Sequence, residues 1–123
     1  MSAGDYLKVA ASQLRRASVV LQEEAHDVAG HKDRTTREKS NYINKAQLQL
    51  KGKQVAAIDP NRDDQEKQRL AREAKELQQQ IESEKQIIEQ VAKEATQTAN
   101  LKQSQAHDLE SQASRLESQA SAM

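Results

Sequence analysis

The chain contains no cysteine, phenylalanine or tryptophan, and only one proline and three glycines among its 123 residues. Without cysteine there is no disulfide frame, no thiolate zinc site and no cysteine nucleophile. Tyr6 and Tyr42 are the only aromatic residues. Large aromatics dominate the burial energy of compact cores, so their scarcity argues against a thick globular interior. Long hydrophobic runs are missing too. The longest, Val55-Ala56-Ala57-Ile58, falls far short of the ~20 residues that span a bilayer. The opening Met1-Ser2-Ala3-Gly4-Asp5 has neither a basic region nor an apolar core of the secretory type. A cytoplasmic location is the expectation. Serines are many, but no Gly-x-Ser-x-Gly elbow surrounds any of them. Three scattered glycines cannot build a phosphate-cradling loop.

What remains is helix-forming material. Charged residues make up 31% of the chain, and Ala, Glu, Lys, Leu, Arg and Gln all favour helix. From Asn61 to Met123 there is neither glycine nor proline. Apolar residues recur there at alternating spacings of three and four: Leu70, Ala74, Leu77, Ile81, then past Glu84 to Ile88, Val91 and Ala95. That is heptad spacing, which places one stripe along one side of a helix and requires a neighbouring helix to cover it. Sustained periodicity with zero net charge also argues against disorder. After Ala95 the seam continues as Ala99, Lys102, Ala106, Leu109, Ala113, Leu116, Ala120 and Met123. The crossing is an eleven-residue step, which locally unwinds a supercoil. A short repeat follows, Leu109-Glu110-Ser111-Gln112-Ala113-Ser114, returning seven residues later from Leu116. Heptads of Leu and Ala bury little area, so this end is expected to fray first.

The N-terminal half carries a matching seam, Leu7, Ala11, Leu14, Ser18, Leu21, Ala25 and Val28. Ser2 and Asp5 stand at capping-box spacing before it. A second stripe, Tyr6, Val9, Ala10, Ala17 and Val20, widens the apolar face beyond what one partner needs. Ala29-Gly30 suits a helix C-terminus, and no large apolar residue follows before Tyr42. Asp33 or Thr35 can cap a new start. Leu50 and Ala57 continue a less regular stripe interrupted by Gly52. Asp59-Pro60 is the clearest punctuation, with Asp59 as N-cap and Pro60 at the first helical position.

The spacing therefore predicts an all-α chain forming one unit over residues 1–123, with helices over about 3–29, 34–58 and 60–122. The reading is a long antiparallel helical hairpin, or coiled coil, with its reversal at Asp59-Pro60 and a bend or break near Gly30. A three-helix bundle with a long overhanging third helix is the alternative. The hairpin leaves less apolar stripe exposed.

Function is expected to reside in helix-to-helix contact: a non-enzymatic scaffold or assembly subunit, with a homo-oligomer or a helical protein as partner and no small-molecule substrate or cofactor. The seams Leu7–Val28 and Leu70–Val91 would pack against each other or against a partner. The interface residues are Leu7, Leu14, Leu21, Val28, Leu70, Leu77, Ile81, Ile88, Val91, Leu109 and Leu116. Glu84, on the seam, is placed to fix register at a cost in stability. Residues 1–58 hold ten Lys/Arg against six Asp/Glu, and residues 59–123 nine against thirteen, so the arms carry opposite charge. The basic stretch 31–53, with Lys32, Arg34, Arg37, Lys39 and Lys45, supports an alternative reading as a binding module for nucleic-acid phosphates or an anionic membrane surface. Base stacking has little support, since Tyr42 is the one aromatic nearby. His26, Asp27 and His31 lack the four-residue His spacing of helical zinc sites, and no metal site is expected.

Overall fold

The computed structural model describes residues 2–123. Two helices, α1 (Ala3–Ala57) and α2 (Asp64–Ala122), pack against each other as an all-α helical hairpin. No described residue lies in a strand, and no helix is long and apolar enough to cross a membrane.

The expected break near Gly30 does not occur, and the three-helix alternative goes with it. Helix α1 runs unbroken through Gly30, and no described glycine has positive φ. A helix interior tolerates glycine at a cost of only ~1 kcal/mol relative to alanine. Ending the helix would instead leave four carbonyls to be satisfied elsewhere. The residues that looked like a break are also not blank. Lys32, Thr35 and Lys39 continue the spacing from Val28, and all three are half-buried. Long cationic side chains can bury their stems along a seam while keeping the charge in water.

The reversal lies where expected, but its caps differ. Asp59 does not cap α2. Its carboxylate accepts a hydrogen bond from the Asn61 N–H at 2.9 Å, and its carbonyl accepts one from the Arg62 N–H at 3.2 Å. Asp59 is therefore the first residue of a β-turn, with Pro60 second, where its fixed φ fits. Asp63 takes the cap instead, its Oδ1 receiving the Gln65 N–H at 3.4 Å. Helix α2 thus starts at Asp64 and not near 60. At the other terminus Ser2 and Asp5 form the reciprocal capping box, each backbone N–H donating to the other's side chain at 3.2 Å.

Packing groups the described chain into two compact units, residues 2–31 with Glu94–Met123, and Lys32–Lys93. In the first, the buried positions are small. Ala11, Ser18 and Ala25 repeat every seven residues on α1, and Ala106, Ala113 and Ala120 do so on α2. Small residues let two helix backbones approach closely. The Ser18 hydroxyl, 0% exposed, donates directly to the Ala106 carbonyl of the facing helix at 3.0 Å and accepts from Gln22 at 3.2 Å. No polar atom is stranded by its burial. In the second unit the core is larger-grained: Ile43 and Ala46 meet Ile81, with Leu50, Leu77 and Ile88 packed against them.

Candidate interaction surface

Each unit is laced across the helix pair by ion pairs that flank its seam. In the first, Arg15 of α1 reaches three residues of α2. It binds Glu117 through two donors, at 2.8 and 3.1 Å, pairs with Glu110, and donates to Ser114 at 3.4 Å. The short repeat noticed in the sequence supplies these partners, since it sets Glu110 and Glu117 seven residues apart on one line. Lys102, at a seam position, pairs with Glu24 at 2.6 Å. In the second unit Lys39 meets Glu84 and Lys53 meets Glu73, each at 2.7 Å. Lys39 and Glu84 are both half-buried seam residues. Glu84, a charge on the seam, therefore has its counter-charge on the facing helix.

These pairs shift their carboxylates. Glu117 is held below the ordinary glutamate value of 4.5, first by its hydrogen bonds from Arg15 and then by that charge. Lys53 does the same for Glu73, with Arg69 and Arg72 adding to it. Asp5 lies below 3.8 because the Ser2 backbone N–H, and then its hydroxyl, bond to it. A carboxylate whose folded-state pKa is depressed stabilises the fold above its unfolded pKa. That contribution disappears as the pH falls through the lowered value. The melting temperature should therefore hold steady from pH 7 to 5 and decline from about pH 4.5 downward. A Glu73→Gln/Glu117→Gln double variant, followed by circular dichroism, should show a shallower decline. An acid limb as steep as that of the unaltered chain would contradict the assignment.

The sequence-derived interface residues divide in an instructive way. Leu70 and Ile81 are buried, whereas Leu7, Leu14, Leu21, Val28, Leu77, Ile88, Val91, Leu109 and Leu116 are half-buried. Within the chain, the seam Leu7–Val28 belongs to the first unit and the seam Leu70–Val91 to the second. A reversal near residue 60 pairs the start of α1 with the end of α2, so each seam is covered by the opposite end of the other helix. The buried small residues were missing from the expected interface. Their signal was present as Ala or Ser alternating with Leu at strict heptad spacing.

The basic stretch does not form one patch. Lys32 and Lys39 are half-buried, and Lys39 is engaged by Glu84. Arg34, Arg37 and Lys45 are exposed on the opposite side of α1 and have no ion pair within 4.0 Å among the described residues. His26, Asp27 and His31 are not gathered, and no described group of three or more His, Asp or Glu could hold a metal.

The outward face of α1 has a second character. Val19 and Val20 of the first unit are about half exposed, at 48% and 51%, and Tyr6 and Val9 are exposed nearer its N-terminus. In the second unit Leu48 (73% exposed), Val55 and Ile58 (79%) line an open groove over Gly52, where an added Cβ would touch nothing within 4 Å. Helix α2 exposes only Ile87 and Leu101 among its large apolar residues. Comparison with known proteins finds no matching family model, no matching curated protein and no matching solved structure.

Proposed function

We propose that the protein is a non-enzymatic scaffold or assembly subunit. Its two helices pack as a coiled coil, and the outward face of α1 associates with further copies. One observation carries this reading: α1 leaves Tyr6, Val9, Val19, Val20, Leu48 and Val55 in water after the seam is closed, while α2 is clad almost wholly in polar residues. Val19 and Val20 in the first unit, and Leu48 and Val55 in the second, are exposed apolar pairs, and such pairs favour burial against a partner. Each side chain, already part-covered, would add a fraction of the ~1.5–3 kcal/mol that full burial of a large apolar side chain is worth. The ion pairs across the hairpin fix which faces stay inside and leave this face for association.

Sedimentation equilibrium with circular dichroism over a range of concentrations tests it. The expected result is a mass that rises above 13.8 kDa with concentration while helicity stays constant. A single 13.8 kDa species throughout would refute self-association. The unpaired Arg34, Arg37 and Lys45 support a second reading, binding to a polyanion. The same experiment repeated with double-stranded DNA distinguishes the two. Co-sedimentation that salt abolishes, together with a monomeric free protein, would favour the second reading over the first.

A further inference from the structure

Four residues on α1 of the first unit form a pattern with two-fold symmetry. Arg16 and Glu23 are seven residues apart, and Val19 and Val20 lie midway between them. At ~100° per residue, Arg16 and Glu23 fall on one line, on the side of α1 opposite the seam. Val19 and Val20 fall on either side of that line. All four are exposed, and neither Arg16 nor Glu23 has an ion pair within 4.0 Å among the described residues. Arg16, Val19 and Val20 border an open groove beside Ser12 and Lys8.

We infer that this face is where a second copy of the chain docks, with the two α1 helices antiparallel about a two-fold axis between Val19 and Val20. The inference rests on the self-association proposed above and names its surface and geometry. Reversing one helix about that axis sets Arg16 of each copy against Glu23 of the other. Val19 then meets Val19 of the other copy and Val20 meets Val20, one pair on either side of the Arg16–Glu23 line, so four valines surround the axis between two ion pairs. A closed two-fold interface must be self-complementary, and this one is. Parallel pairing in register fails the same requirement, because Arg16 would meet Arg16 and Glu23 would meet Glu23, and like charges repel. The order of signs along the helix thus selects both the partner, a second copy, and its direction.

Charge reversal and restoration in the full chain, followed by sedimentation equilibrium, provide the test. Arg16→Glu and Glu23→Arg each turn two attractive contacts per dimer into repulsive ones. Each should weaken association by roughly ten-fold or more. The double variant Arg16→Glu/Glu23→Arg restores both pairs with signs exchanged, and should return within roughly three-fold of the unaltered chain. All four side chains point to solvent, so helicity should be unchanged in every variant, which separates lost docking from lost folding. Single variants that associate like the unaltered chain, or a double variant as weak as the singles, would overturn this face while leaving self-association standing. An unaltered chain that is monomeric at every concentration would overturn both.

Discussion

Ile81→Asp is expected to unfold the Lys32–Lys93 unit. Ile81 is 2% exposed and closes the cluster formed with Ile43 and Ala46, against which Leu50, Leu77 and Ile88 pack. The substitution removes most of a buried aliphatic side chain, which costs about 2–5 kcal/mol when the gap cannot collapse. It also puts a carboxyl group where water cannot reach it. That group must either stay ionised without solvation or take up a proton, at a further cost of a few kcal/mol. Small domains have about 5–15 kcal/mol in total, so one substitution consumes much of the margin. Circular dichroism should show a large loss of helix at 25 °C, and any assembly that depends on the folded hairpin should go with it. Ile87→Asp is the control. Ile87 is six positions along the same helix, but 41% exposed, and its variant should melt within about 0.5 kcal/mol of the unaltered chain. Equal melting of the two variants would show that the core is not where we place it.

Ala113→Leu is expected to destabilise the unit formed by residues 2–31 and Glu94–Met123, although leucine is the better hydrophobe. Ala113 is 0% exposed. It belongs to a layer of alanines and Ser18 thin enough for a serine hydroxyl to reach the facing backbone at 3.0 Å. Three added carbons have no space there. The helices must separate, and overpacking of this kind costs about 1–3 kcal/mol. Separation also breaks the bond from Ser18 to the Ala106 carbonyl, leaving a polar group to be solvated again. Thermal melting should record the loss, and amide exchange should speed up near Ala106. A raised melting temperature would mean that the alanine layer leaves room, contrary to the close approach described here.

Those two positions also mark how far the sequence could be read. The seam Leu70–Val91 was legible because large aliphatics at heptad spacing have no other explanation, and Ile81 was assigned to the interface from spacing alone. Ala113 was visible on the same seam, but alanine's small area made the leucines beside it look more important. Which of two adjacent seam residues is fully buried depends on how near the helices come, and that distance is a property of the pair. The stretch after Gly30 shows the opposite failure. A hydrophobic pattern fades when lysine and threonine occupy seam positions, yet Lys32, Thr35 and Lys39 keep the register through the length and polarity of their side chains. Asp59 was misplaced for a local reason: aspartate caps helices and initiates turns with equal ease, and the next residues decide between them.

By itself the amino-acid order determined that the chain is helical, that it reverses at Asp59-Pro60, and which stripe of each helix seeks cover. These follow from periodicity and turn chemistry, which act over a few residues. Only the tertiary structure decided that α1 continues through Gly30 and that Lys39 answers Glu84. It alone decided that alanines and a serine make the closest contact, and that Arg16 and Glu23 have no ion pair among the described residues. Each of these depends on which residues of a distant segment stand opposite. That is set when two helices choose their register against each other, and no local pattern contains it.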